Sequence, residues 1–432
     1  MTINRPVNEN MRHTEPNFFR DIDVINDPES YFDLMRSRGE LVQEQHHGTM
    51  MVTGYDAAME ILRDRSGDFS SAVSVVGPVP PLPFVPEGSD ISEQIEAHKD
   101  HMPWGEHLVC FDGQKHTDYR SLLMRILTPQ RVKENEQYLY GLSDRLLDNL
   151  LGREVCNLVP EFAHAVTTYA ISDIMGIPLE DRAELLQLIG APPSQVDGDA
   201  VHKIGPDPLQ FMRPRFEHYL RERQENPGSD LMSELLQGRL RGDIQPALES
   251  FAQLACFLFG AGQDTTSRLI AMAVKIMAEN LGLQDRLRGE PELIPPFIEE
   301  VLRYDGPVKV SYRLVCRDTA VAGIALKAGT ILSVCLAGGN HDPARFDDPH
   351  LFNPERDNLR DHLSFGQGKH ACLGAPLGRL EARVAIERLL ARTSRITLSE
   401  AHHGAEGARH FRYEPTYTFR SLSDLYVKLV PV

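Results

Sequence analysis

The sequence is poor in cysteine, has one tryptophan and lacks long apolar runs, and positive charge is its minority. Six cysteines are scattered along it: Cys110, Cys156, Cys256, Cys316, Cys335 and Cys372. None forms a C-x-x-C pair, which excludes a disulfide framework, zinc ribbons and redox dithiols. No C-x-x-C-H occurs, so no haem is attached in the c-type manner. No stretch reaches the roughly 18 apolar residues that span a bilayer. Met1 to Asp21 is polar, without the apolar centre of a signal peptide. Lys and Arg total 45 against 62 Asp and Glu, a net charge of -17. Such a surface repels phosphate backbones, so nucleic acid is not an expected partner. Together these absences predict a soluble, cytoplasmic protein with no membrane contact.

What is present is enough apolar residue for a large core, 41% of 432. There is no internal repeat and no long linker. The expected layout is a polar N-terminal arm, 1–26, followed by one large domain, 27–432. Strand signals are sparse. Leu41 to Thr53 reads as a hairpin around Gly48, and Arg313 to Val334 alternates, with turn glycines Gly323 and Gly329. Tyr417 to Val430 also looks extended. Helical periodicity dominates elsewhere, for example over Arg131–Leu151, Asp181–Ile189 and Gln210–Gln224. Gly77 to Gly88 is proline-rich yet apolar, an expected cover for something, and Gly190 to Pro208 is a second irregular stretch, either a lid or a plain connection.

Phe365-Gly-Gln-Gly-Lys-His-Ala-Cys-Leu-Gly374 carries the strongest chemical signal. Cys372 follows a glycine-rich turn and opens a helix, Ala375 to about Leu390. Glycine lets backbone approach a flat ligand, Phe365 can shield one side, and helix-start amides favour a thiolate. The same features would serve a nucleophilic cysteine with His370 as base. Ala261-Gly-Gln-Asp-Thr-Thr266 lies within a long apolar helix, about Pro246 to Met277, where glycine and polar groups are unfavourable. A threonine hydroxyl there can compete for a backbone carbonyl. Read alone, the patch is equally a capping-like polar stretch. Glu300 and Arg303 are three apart on a helix, Leu293 to Tyr304, a spacing common on surfaces.

In this order along the chain, these motifs resemble those of the cytochrome P450 family. F-x-x-G-x-x-x-C-x-G resembles its haem-binding signature, with Phe365, Gly366, Cys372 and Gly374 near the cofactor. The resemblance implies haem b, held by the Cys372 thiolate, which favours O–O cleavage. Ala261 to Thr265 resembles the oxygen-activation motif, which implies Asp264 and Thr265 as acid and alcohol, with Ala261 beside the haem. Glu300 and Arg303 resemble a structural pair whose downstream partner is Arg356. His116, Arg120, Arg313 and His370 stand where family members bind haem propionates. The implied fold is mainly α with small β-sheets, a single large domain with the haem between two helices.

The resemblance further implies a monooxygenase that inserts one oxygen atom of O2 into a small, mostly hydrophobic substrate by hydroxylation, demethylation or epoxidation. No electron-transfer domain is fused, so electrons are expected from a ferredoxin and ferredoxin reductase. A basic patch of Arg120, Arg125, Arg379 and Arg383 is the expected docking face. The substrate pocket is expected between Val76–Phe84, Ala261, Val308, Val310 and Thr416–Phe419. A peroxide-driven oxidase, a desaturase and a non-catalytic haem sensor are the rivals; the paired Asp264 and Thr265 favour dioxygen use.

Overall fold

The computed structural model describes residues 16–188, 207 and 209–432. Its axis is a helix of 32 residues, Leu248–Glu279. Pro246 precedes this helix rather than opening it, and the N-cap is Ala247. From Leu269 to Ala278 every residue is buried, as expected of a helix surrounded by others. Two small residues set how closely its neighbours approach. A Cβ on Gly262 would stand 3.2 Å from Ile171 on the helix His164–Met175. A Cβ on Gly378, in the helix Ala375–Arg392, would stand 3.1 Å from the Thr266 hydroxyl. Two helices therefore close on the middle of the long one.

Two apolar clusters lie along it. One joins Met272 and Ile276 to Phe297, Ile298, Ile386 and Leu389. The other joins Phe259 and Ala255 to Ile171, Phe216, Leu231 and Leu377. Strands Leu41–Gln43, Met50–Val52, Ile331–Val334, Ser311–Val315 and Phe69–Ser70 form one sheet in that order. The first two make the expected hairpin, in register Leu41 to Val52, with Gly48 at φ 71°. Gly323 and Gly329, at φ 76° and 89°, form the expected turns. A three-stranded sheet joins Cys156–Asn157, Tyr426–Pro431 and Thr393–Leu398.

Several expectations change. The helix expected over Arg131–Leu151 is two, Pro129–Glu134 and Glu136–Asp148. Only Tyr426–Pro431 of the C-terminal stretch is a strand. Before it, Tyr417 is buried and its hydroxyl donates to the carbonyls of Val76 and Val79. Of the arm, 1–15 lies outside the described residues. The remainder is not polar in effect: Phe18 and Phe19 are 1% and 2% exposed and pack on Tyr31, Phe32 and Tyr417. Two adjacent rings are lost in an average over polar neighbours, yet aromatic side chains contribute much to a core. Gly190–Pro208 lies outside the described residues apart from Asp207.

Two charge networks fasten the helix Ile294–Asp305 to the segment that leads into Cys372. Arg303 donates to both Glu300 oxygens at 2.7 Å and to the carbonyls of Asn340, Pro349 and Leu351. Glu300 also accepts from Arg356 at 3.2 Å and from the Asn353 amide at 2.8 Å. Both members of the pair are fully buried. One residue earlier, Glu299 accepts from Arg379 at 2.6 Å and meets His362 at 3.0 Å. Burial opposes the charge of Glu299, but the Arg379 and His362 bonds outweigh it and hold the carboxyl at about 2.

Removing one partner of a buried pair strands the other. Arg303→Met should lower the unfolding free energy by about 3–5 kcal/mol, read by urea denaturation. The Glu299 contribution has the opposite pH sense to that of a buried cation. It is present above the ordinary carboxylate value of 4.5 and fades as pH falls toward about 2. Glu299→Gln should therefore flatten the loss of thermal stability between these values; an unchanged acid slope would show that the Glu299 network carries none of it.

Candidate active site

The cysteine loop is built by its backbone. The Gly366 amide donates to the Leu363 carbonyl at 2.7 Å, and the Cys372 amide to the Phe365 carbonyl at 2.7 Å. Gly368 adopts φ 69°, and a Cβ there would fall 2.2 Å from the Leu62 carbonyl oxygen, so no other residue fits. The turn thus delivers Cys372 just before the helix Ala375–Arg392. Burial pushes its thiol up, while the amides of Gly374 and Ala375 and the charges of Arg120 and Arg379 pull it down without prevailing. A bound metal would deprotonate such a thiol outright. The other five cysteines are buried, and burial raises Cys110 and Cys156 to about 11 and Cys316 to about 12. Cys372 alone is exposed, and its exposure is to the lumen of a cavity.

That cavity, of about 310 Å³, separates the cysteine loop from the long helix. Phe365, Gly366, Cys372 and Gly374 line one wall; Ala261, Gly262, Thr265 and Thr266 line the other. The long helix runs unbroken through the polar patch, and the Thr265 hydroxyl donates to the Ala261 carbonyl at 3.1 Å. Asp264 does not line the cavity. Its carboxylate accepts from Arg268 at 2.7 Å, and Arg268 donates on to Glu414 at 3.0 Å.

His116, Arg120, Arg313 and His370 meet at one edge of the cavity. The two imidazoles lie 3.9 Å apart, centroid to centroid. Arg120 donates to the Ala371 carbonyl, and Arg313 to Ser311 and the Tyr312 carbonyl. Among the described residues no carboxylate pairs with either arginine; Asp112 stands 4.0 Å from His370. Burial, then the Arg120 charge, lowers His116 to about 4, and burial with Arg313 and His116 pushes His370 down further still. Four basic groups thus crowd together with too little negative charge. A flat dianion with an iron centre fits this cavity: its carboxylates would answer the cations, and Cys372 would face the metal.

All of the site residues expected from the sequence except Asp264 either line this cavity or, as Glu300, Arg303 and Arg356 do, brace the segment behind it. The pocket walls differ from expectation. Ala261 and Val308 line it, but Val76 is buried away from it and Val310 lies in a separate cluster on which Val79, Leu82 and Phe84 pack. Ser74, Leu108, Val109 and Phe257 take that place, from three separate stretches at positions that belong to no motif. The docking patch also changes. Glu299 holds Arg379, while Glu136 and Glu387 hold Arg383. Arg120 faces the cavity edge. Sequence reasoning missed Glu381, 1% exposed behind Thr266. Neither of its oxygens finds a full hydrogen bond, and burial pushes its carboxyl well up despite the nearby Thr266 hydroxyl. Its signal was a lone acid among the apolar positions of the helix.

The family model of Cytochrome P450 matches residues 192–400. A putative cytochrome P450 140 of Mycobacterium tuberculosis is 30% identical over 375 residues, 84% of this chain and 82% of that protein. Among solved structures, substrate-free Mycobacterium marinum cytochrome P450 CYP150A6 superposes with a TM-score of 0.89 at 38% identity, covering 97% of this chain and 99% of that one. P450BioI in complex with hexadec-9Z-enoic acid ligated acyl carrier protein gives 0.79 at 27% identity, covering 94% and 99%. With the same fold over nearly its whole length, the chain belongs to the cytochrome P450 family, haem-thiolate monooxygenases whose iron carries an axial cysteine thiolate.

Proposed function

We propose that this monooxygenase holds haem b through Cys372 and inserts one oxygen atom of O2 into a small, mostly hydrophobic substrate. The observation that carries the assignment is Cys372 facing Thr265 and Ala261 across a cavity whose edge gathers His116, Arg120, Arg313 and His370. These four would bind the propionates, with arginine suited to a paired carboxylate. Phe365, Gly366 and Gly374 would shape the cysteine side. Bound haem supplies the reductive activation of dioxygen.

The residues of the chain supply the rest. Leu108, Val109, Phe257, Leu258 and Val308 give the pocket an apolar lining that favours apolar ligands and excludes bulk water. Protons must then pass through placed donors. The Thr265 hydroxyl donates a hydrogen bond to the Ala261 carbonyl at rest and can redirect it into the cavity. Asp264, one residue earlier and partly exposed, can take up protons from outside. The relative solved with a fatty acyl chain supports an apolar substrate class. No helix among the described residues is long and apolar enough to cross a membrane. A cytoplasmic enzyme fed by a ferredoxin and its reductase is the accompanying proposal, with Arg125 and Lys369, rather than the ion-paired Arg379 and Arg383, as the charges left for docking.

Cys372→Ala should abolish the thiolate-type spectrum of the reduced carbonyl complex, while Cys110→Ala, Cys256→Ala and Cys335→Ala keep it; retention in the Cys372 variant sinks the assignment. Thr265→Ala should keep the substrate-induced spin shift and consume reducing equivalents, but release much of them as hydrogen peroxide. Asp264→Asn should slow turnover more than it uncouples it. The ratio of product to reduced cofactor decides both, and wild-type coupling in Thr265→Ala would refute the relay. In a spin-shift screen, apolar compounds should bind, and a response confined to highly charged compounds would refute the substrate class.

A further inference from the structure

The proton path proposed for Asp264 begins from a carboxylate that is tied elsewhere. No hydrogen bond joins Asp264 to Thr265; Asp264 Oδ1 accepts from Arg268 Nη2 at 2.7 Å and the Thr265 hydroxyl is spent on Ala261. Arg268 lies one turn on along the same helix, but it is no ordinary surface pair. Its side chain is 2% exposed. Its Nη1 donates to Glu414 Oε2 at 3.0 Å, and its guanidinium carbon lies 5.1 Å from the ring centroid of Phe419. Glu414 and Phe419 belong to the turn before the last strand, not to the long helix. Asp264 is thereby fastened, through one guanidinium, to a separate part of the fold.

Burying an arginine costs several kcal/mol unless it is well paired, and an apolar residue would fill the same space more cheaply. The cost is offset here by two carboxylates, which outweigh burial and keep the guanidinium charged. Its Nε makes no hydrogen bond. No third partner locks it, and it can lean toward one carboxylate as the other leaves. A further titratable neighbour of Asp264 among the described residues is His164, which meets the Gln263 amide at 2.9 Å and which burial holds toward its neutral form. It offers Asp264 no competing cation.

We propose that Arg268 is a positioning residue that holds the Asp264 carboxylate off Thr265, and that Glu414, by sharing the same guanidinium, sets how firmly it is held. The inference rests on the reading of Asp264 as the proton donor. For each turnover Asp264 leaves Arg268, whose charge remains answered by Glu414, carries a proton to the Thr265 side, and returns. No bond other than O–H and N–H hydrogen bonds is made or broken at Arg268.

The two partners should then act in opposite directions. Without Glu414 the guanidinium has Asp264 alone and grips it harder; without Arg268 the carboxylate is free. The test uses the holoenzyme with a surrogate ferredoxin and reductase and dodecanoic acid as probe substrate. The dioxygen-driven rate is divided by the rate of guaiacol oxidation with added hydrogen peroxide, so that the ratio isolates proton supply. Glu414→Gln should lower this ratio about tenfold, the low-end worth of one charge-assisted hydrogen bond, and enlarge the solvent deuterium isotope effect. Arg268→Gln should shrink the isotope effect. Independently of turnover, infrared difference spectra against Asp264→Asn should show the Asp264 carboxylate stretch shifted one way in Glu414→Gln and the other way in Arg268→Gln. Arg268→Lys, which keeps the charge but reaches one carboxylate, serves if Arg268→Gln does not fold. Isotope effects that move in the same direction in the two variants, or an Asp264 band that moves in neither, overturn the proposal. If Asp264→Asn itself leaves the ratio unchanged, the donor role has failed; if it lowers the ratio while Arg268 and Glu414 variants do not, only the clamp has.

Discussion

Four basic side chains converge on one cavity edge, and the protein supplies almost no acid to meet them. Arg120 and Arg313 bond to carbonyls and a hydroxyl rather than to carboxylates. His116 and His370 lie against each other with their rings tilted by 34° and are driven to their neutral forms by burial and by the arginines. Like charges gathered in a half-dry place are expensive. The arrangement is sensible only if an anion completes it. Haem b, with two carboxylates on one edge and a metal at its centre, would supply both the anion that the edge lacks and, on the proposed reading of Cys372 as its ligand, a cation for that sulfur. Cofactor binding and stability would therefore be coupled, because a bound dianion answers the charges of Arg120 and Arg313.

The rest of the fold can be seen as the frame that keeps the two walls of that cavity apart and facing. The cysteine wall is fixed through the charge networks of Glu299 and Glu300, which fasten His362, Arg379, Asn353 and Arg356 to a single helix. The opposite wall is fixed by close helix approach at Gly262 and Gly378. One wall is held by directional bonds because it is a loop, whose backbone would otherwise wander. The other needs only packing because it is a helix, whose backbone bonds are already made within itself.

The sequence was legible where chemistry forces a residue type. Gly368 must be glycine beside Leu62, and Glu300 must have its arginines; such positions carry motifs because substitution is intolerable. The hairpin at Gly48 and the turns at Gly323 and Gly329 were legible for the same reason, positive φ. The pocket walls were not. Leu108, Val109 and Phe257 meet only any apolar requirement, which many residues satisfy, and chain order does not say that they outcompete the proline-rich loop. That loop was rightly read as apolar and covering, but what it covers is the aromatic cluster around Tyr312 and Tyr417. The partners of Arg379 and Arg383 were equally hidden, since Glu136 is far away in the chain.

Three ionisable groups around Thr265 and Thr266 are handled in three ways, and the contrast bears on the chemistry available there. Glu381, with no cation near, is kept neutral by burial. Arg268, with two carboxylates, is kept charged. Asp264, partly exposed, sits between solvent and that arginine. A group that is permanently neutral can give up its proton only at great cost, and one that is permanently charged cannot take one. Only Asp264 has both a route to water and a partner that can be exchanged. On the reading of Asp264 as the proton donor, the long helix would present one mobile proton carrier next to an alcohol, flanked by groups whose protonation is fixed, and proton flow toward Thr265 would follow from that asymmetry rather than from any single bond.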